Sequence, residues 1–327
     1  MESSIIPCSS PPPKNIASTM TLYNTLHLIG VLNSFHIRAV YLANNHINDI
    51  PQQVKFQKQL LSSAGVSSFG AGINVAQAGQ PLSLRKGGSE IKFFAFGWDV
   101  IGCKPATLNT EGVNPFTPQN ALDTVRRYRS QNQHSLVVYI IHWNYELEIY
   151  PQPAHRQLAH DLVHEGVDAI IGLHPHVAQG AELINNKPII YSLGNWFFPP
   201  RQLGHFQLRY PEISSRELAL ELVVEGRCTK SIGFHWHQFD PENCSISFEK
   251  TEGWGGEILK GLTPYRDMGN EEYFEWFRDN RTRRRGLPIY KDYHQTFLVR
   301  LNDSWVKLRQ TVIKNLVRMK IKNGPQD

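Results

Sequence analysis

Three polar clusters, each closing a short apolar run, hold the residue types that can do chemistry in this chain: AVYLANNH at Ala39 to His46, SLVVYIIHW at Ser135 to Trp143, and VDAIIGLHPH at Val167 to His176. Apolar, β-branched runs of this length read as strands buried on both faces, and in an open α/β sheet the ligand site lies beyond the strands' carboxyl ends. Asn45, His46, His142, His174 and His176 are therefore expected at one mouth of one sheet. Imidazoles and an amide oxygen without cysteine suit a borderline divalent cation, Mn²⁺, Fe²⁺ or Zn²⁺, and an open coordination position would make the site catalytic. The competing reading makes each histidine, one of 14, a hydrogen-bonded rim or core residue, the commoner fate of a single strand-end histidine. Three clusters in the same local setting favour a shared site.

The elements that must position these residues alternate. Leu22, Leu26, Ile29 and Leu32 recur at helical spacing and lead to a strand over Ile37 to Leu42; Gln52 to Ala64 reads as a helix ended by Gly65. A strand over Lys92 to Trp98 precedes a helix over Thr117 to Ser130, with Thr117 as its cap and Pro118 at its first position. Leu136 to Ile141 is a strand, Pro153 to Glu165 a helix stopped at Gly166, and Asp168 to Leu173 a strand, so the order is that of a βαβ architecture. Beyond Ile189 the pattern changes. IIYSLGNWFF, ELALELVVE and SIGFHWHQF read as strands without helices between them, which implies a second, more antiparallel sheet packed on the first. From about Gly253 aromatics, glycine and basic residues dominate, with helices expected near Glu271 to Asp279 and Ser304 to Ile321.

Composition narrows the classes. With 327 residues and 41% hydrophobic content the chain can bury a full core. The net charge of +5 is modest, and much of the excess falls late, at Arg281, Arg283, Arg284, Arg285 and the last twenty residues; this argues against a nucleic-acid binder, whose cations interleave with aromatics across a face. Cys8, Cys103, Cys228 and Cys244 are too scattered for a zinc ribbon or a disulfide framework. No run approaches the roughly 18–20 apolar residues of a membrane span, and MESSIIPCSSPPPK lacks the order of a secretory signal, so the chain as written reads as cytoplasmic.

The motifs together resemble the bacterial CapA family, the poly-γ-glutamate capsule-synthesis proteins. LANNHxxD at Leu42 to Asp49, HWxxE at His142 to Glu146, GLHPHVAQGAE at Gly172 to Glu182 and IIYSLGNWFF at Ile189 to Phe198 look like that family's series, with SFGAGINVAQAGQP at Ser68 to Pro81 between them. The resemblance covers roughly residues 2 to 250 and implies a metallophosphatase-like α/β/β/α sandwich of two mixed sheets. It divides the chain into a domain over 1–250 and a basic, helical extension over 251–327. It further implies one or two divalent ions at the sheet mouth, where paired ions activate water and stabilise the attacking and leaving oxygens. By that pattern Asn45, His142 and His174 ligate one ion, His176 belongs to the other, and Glu2 takes the bridging position. His46 matches the residue that protonates the leaving group, Asp49 is placed to orient it, and Glu146 supports the ligands from behind.

The departures carry expectations of their own. Family members open with a strand ending in Gly-Asp, whose aspartate holds the first ion; it is absent here, and Met1-Glu2-Ser3 looks like the tail of the next motif, Asn-Leu-Glu. An amino-terminal truncation or a late start is the expectation, with cell-envelope association following if the missing segment carries an anchor. Asn144 stands where the family usually has glycine, and Ile50-Pro51 departs from the usual Asp-x-Gly. Three functions follow: a CapA-like protein of capsule or exopolymer metabolism acting on an anionic polymer or peptide-like substrate, a metal-dependent hydrolase of a phosphoester or amide in another pathway, or a non-catalytic assembly subunit.

Smaller features read more plainly. His235 and His237 share one strand face without a second cluster to meet; Trp196, Phe197 and Phe198 are expected in the core or a pocket wall; Gly70-Ala71-Gly72 reads as a turn. In the last helix Trp305, Leu308, Val312, Leu316 and Met319 share a face, with Lys307, Lys314, Arg318 and Lys322 mostly opposite and Arg309 and Lys320 interrupting. This is the pattern of a basic amphipathic helix that docks on a membrane surface or a protein, or packs on its own domain.

Overall fold

The run Leu136–His142 sets the architecture, because both of its faces are apolar and each must be covered. Leu136 and Val138 pack with Leu222 and Val224 of a second sheet, whereas Val137, Tyr139 and Ile141 join the main core beneath the helices. The computed structural model describes residues 4–5, 23–24, 26–203, 206–282 and 286–319. Leu22 and Glu2 lie outside them.

In chain order, a parallel pair β1 (Ser4–Ile5) and β2 (Tyr23–Asn24) precedes α1 (His27–Ser34), β3 (Ala39–Tyr41), α2 (Val54–Ser63), β4 (Ser67–Phe69), β5 (Ala71–Gly72), α3 (Val75–Ala78), β6 (Leu82–Lys86) and β7 (Ser89–Gly97). Then come β8 (Gly112–Val113), α4 (Pro118–Gln131), β9 (Leu136–His142), α5 (Pro153–His164), β10 (Ala169–Leu173), β11 (Ala181–Ile184) and β12 (Lys187–Ile190). The main sheet has six strands in the order β11-β12-β10-β9-β7-β6, parallel from β12 to β7 and antiparallel at both edges. After the hairpin β13 (Arg201–Leu203) and β14 (Phe206–Leu208), the strands β15 (Arg216–Glu225), β16 (Cys228–Asp240) and β17 (Ser245–Glu252) make a three-stranded antiparallel sheet. Its Leu218, Phe234 and Trp236 close on Ala178, Ala181 and Ile190, so the two-sheet α/β sandwich implied by the sequence is the architecture of the chain.

The helices follow their signals. Thr117 caps α4 by accepting the Asn120 amide at 3.1 Å, with Pro118 at the first position, and α5 also begins on a proline before the chain turns at Gly166 with φ 115°. The carboxyl-terminal helices α6 (Glu257–Leu262), α7 (Asn270–Asn280) and α8 (Thr296–Arg318) do not stand apart: Tyr265, Tyr273, Phe277, Tyr290 and Val306 share the main core with β9.

Candidate functional site

Register brings the histidines together. His142 ends β9 opposite Gly97 of β7 on one side and Leu173 of β10 on the other, so three parallel strands finish level and His174 begins the next loop beside His142. The imidazoles of His142 and His174 are 4.7 Å apart by centroid, and His176 lies 5.7 Å further along. Asn45 arrives from the other side, on the loop after β3, because glycine lets that loop press against the sheet. A Cβ on Gly97 would stand 3.0 Å from the Ala43 carbonyl oxygen and 2.9 Å from Cys103 Cβ; one on Gly70, at φ 86°, would stand 2.7 Å from Ala95 Cβ. Gly70 is thus a close-approach position leading into β5.

A directional chain of hydrogen bonds crosses the mouth. Tyr41 Oη lies 3.2 Å from His142 Nδ1, His142 Nε2 lies 3.0 Å from Asn45 Oδ1, Asn45 Nδ2 lies 3.2 Å from His46 Nε2, and His46 Nδ1 lies 2.8 Å from Asp49 Oδ2. One assignment satisfies all four contacts: Tyr41 donates to His142, His142 to Asn45, Asn45 to His46, and His46 to Asp49. This leaves His46 Nε2 the basic end of its imidazole, with the side chain one-fifth exposed.

His142 and His174 are buried, and burial holds both imidazoles well below the usual histidine range; the neighbouring imidazoles push in the same direction. Both are neutral at physiological pH, with a nitrogen lone pair each. His174 Nδ1 is buried without a hydrogen-bond partner. The backbone is strained at the same place, since His174 (φ 100°) and His176 (φ 58°) occupy the left-handed region that residues with a Cβ avoid. Asn144, where glycine was expected, has φ 67° and stabilises that turn with its own side chain, donating to Tyr150 O at 2.9 Å and accepting the Tyr145 amide at 2.8 Å.

These donors can be tested against a cation. Two ligand atoms each about 2.0–2.2 Å from one ion stand roughly 3.0–3.5 Å apart, so the 3.0 Å between Asn45 Oδ1 and His142 Nε2 fits a shared ion, and His174 adds an unsatisfied imidazole. Among the described residues, no group of three or more His, Cys, Asp or Glu side chains could hold an ion by those donors alone. The donors that stand together here are thus one amide oxygen and two imidazoles.

The other expected residues fall as follows. His176 is buried, its Nδ1 at 2.7 Å from Asn195 Oδ1 and its ring 4.5 Å from Tyr210 and 5.5 Å from Phe198. Glu146 is half-buried on the loop after β9. Glu2 lies outside the described residues. Phe198 is half-buried with its ring against His176 and Tyr210, whereas Trp196 and Phe197 are about half exposed, because the strand of IIYSLGNWFF ends at Ile190 and the chain turns through Gly194. His235 contacts Thr251 Oγ1 and His237 contacts the His235 carbonyl, so neither converges on a second cluster. Sequence reasoning missed Tyr41 and Asn195. The signal for Asn195 was a Gly-Asn pair interrupting an apolar run; Tyr41, inside its own apolar run, gave none.

Against known proteins, the model of the family described as bacterial capsule synthesis protein PGA_cap matches residues 1–200 of the 327. The chain belongs to this family. It is 32% identical over 173 residues to the PGA biosynthesis protein CapA of Bacillus subtilis (strain 168), covering 52% of this chain and 45% of that one. It is 29% identical over 160 residues to the capsule biosynthesis protein CapA of Bacillus anthracis, covering 48% and 39%. The chain thus spans less than half the length of these two relatives. Among solved structures, the sulfate thiohydrolase SoxB of Thermus thermophilus aligns with a TM-score of 0.41 at 11% identity, over 72% of this chain and 38% of that one.

Proposed function

We propose that this PGA_cap family chain works in the metabolism of a capsule-type anionic polymer, with poly-γ-glutamate as the substrate class, through a single divalent-cation site of hydrolase type. The observation that carries this reading is the 3.0 Å approach of Asn45 Oδ1 to His142 Nε2 beside the unsatisfied, buried His174 Nδ1. When bound, a divalent ion supplies Lewis-acid polarisation and makes water a nucleophile near neutral pH. The protein's own groups do the rest. Asn45, His142 and His174 would hold the ion, and the contact between His142 Nδ1 and Tyr41 Oη would orient that ring. His46 would take up a proton at Nε2 in place of its hydrogen bond from Asn45 and pass it to the leaving oxygen or nitrogen, with Asp49 orienting the ring through Nδ1.

Elemental analysis with turnover assays on poly-γ-glutamate, peptides and phosphoesters tests this. About one equivalent of Mn²⁺, Fe²⁺ or Zn²⁺ is expected, abolished by His142→Ala. His46→Ala should lower turnover roughly 10²–10⁴-fold with metal content unchanged. Loss of metal in that variant would make His46 a ligand; turnover of phosphoesters alone would move the chain to another pathway. The absence of a trio of His, Cys, Asp or Glu donors among the described residues favours a second reading, an assembly subunit without turnover. Polymer binding with no hydrolysis in any metal would select it.

A further inference from the structure

Helix α8 has two apolar faces, and the fold uses only one. Val306 and Val317 are buried on the protein side, and the helix's single acidic residue, Asp303, turns inward to accept the Tyr290 hydroxyl at 2.7 Å. On another face Phe297, Leu301, Trp305, Leu308, Val312 and Met319 follow one another in steps of three, four and seven residues, and each is exposed by 48% to 71%. A stripe of this kind runs nearly the length of the helix. A third row, Arg300, Lys307 and Lys314, runs parallel to it at a seven-residue repeat, all exposed. Lys307 also anchors the helix by donating to Asp99 Oδ2 at 2.6 Å.

We propose that α8 is a membrane-surface helix that lays this stripe into the interface of an anionic bilayer. The charge pattern selects that occupant. A helix with five cations, Arg300, Lys307, Arg309, Lys314 and Arg318, and one inward-turned acid meets anionic headgroups with its basic row while the stripe enters the acyl boundary. A second copy docking through the same stripe would add a second cationic helix with no acid to answer it. No described helix is long and apolar enough to cross a membrane, so α8 lies on the surface and does not span. Trp305, half exposed and with its indole N–H donating to the Gly286 carbonyl at 2.8 Å, sits in the middle of the stripe, where an amphipathic ring suits the headgroup level.

Co-sedimentation of the full chain with phosphatidylcholine vesicles, with and without phosphatidylglycerol, tests the proposal. Binding is expected only with phosphatidylglycerol, and it should weaken as salt is raised. Leu301→Asp with Leu308→Asp should weaken it about tenfold or more while the far-ultraviolet dichroism stays unchanged, since both side chains face solvent. Arg300→Glu with Lys314→Glu, which leaves the apolar stripe intact, should weaken it several-fold. A chain that stays in the supernatant at every lipid composition overturns the assignment. So does binding that the aspartate pair does not reduce, or equal binding to neutral vesicles. Concentration-dependent dimerisation lost in the aspartate pair, without vesicle binding, would give the stripe to a second copy.

Discussion

Glu217 is the residue most at odds with its surroundings. Its side chain is buried on β15, both carboxylate oxygens lack hydrogen-bond partners, and burial alone pushes its pKa up to about 8, so at neutral pH it is mostly a neutral acid. The native state then keeps a proton that the unfolded chain has released anywhere between the ordinary carboxyl range and pH 8. Stability should fall as pH rises through that window, by up to about 1.4 kcal/mol per pH unit, and level off above it. Glu217→Gln should remove this slope and leave the variant more stable than the parent at pH 8–9. Denaturant midpoints across that pH range measure it, and a parental profile flat between pH 6 and 9 would mean the carboxyl is ionised in place. The same scale explains why the roles of Tyr41 and Asn195 were not read from the sequence, although a Gly-Asn pair marked the position of Asn195. Each matters through one contact across the fold, Tyr41 to His142 and Asn195 to His176, and such partners have no local spacing to betray them.

At the scale of elements, what the sequence disclosed follows from how local its causes are. β9 was legible because six successive apolar residues between two layers can be little else, and α4 because Thr117 and Pro118 are both local start signals. IIYSLGNWFF looked like one strand, but Gly194 at φ 77° ends the extended run so that Asn195 can reach His176, a requirement of tertiary structure. The convergence of Asn45, His142 and His174 was legible in outline from strand polarity; the closeness of Asn45 was not, since it depends on the absent Cβ of Gly97. The α4 cap gives a simple check on this local reasoning. Thr117→Ala removes the acceptor for the Asn120 amide and should cost about 1 kcal/mol of stability in a denaturant titration, with Thr117→Ser recovering most of it.

For the whole molecule, the carboxyl-terminal residues share one core with the motif-bearing part. Glu148, on the loop after β9, is fully buried and is answered by the Thr282 amide and hydroxyl at 3.0 Å each and by the Arg281 guanidinium at 3.7 Å. Arg156 of α5 makes a buried, two-pronged pair with Glu182 at 2.9 and 2.6 Å, donates to the Met268 carbonyl at 2.9 Å, and faces the Tyr273 ring at 4.8 Å. Tyr273 in turn donates to the Pro151 carbonyl at 2.6 Å, and the amide of Ala154 at the start of α5 donates to the Tyr290 carbonyl at 2.8 Å. Ending the chain near Gly253 would leave Glu148 buried without these partners or force it to water. Breaking one buried ion pair costs about 3–5 kcal/mol, and the lost aromatic burial adds to it. That sum rivals the roughly 5–15 kcal/mol net stability of a folded domain. A chain of residues 1–252 should therefore show no cooperative thermal transition and no metal binding, while the full chain melts in one. A sharp melt of the shortened chain within a few degrees of the parent would show instead that β9 and α5 are held by the two sheets alone.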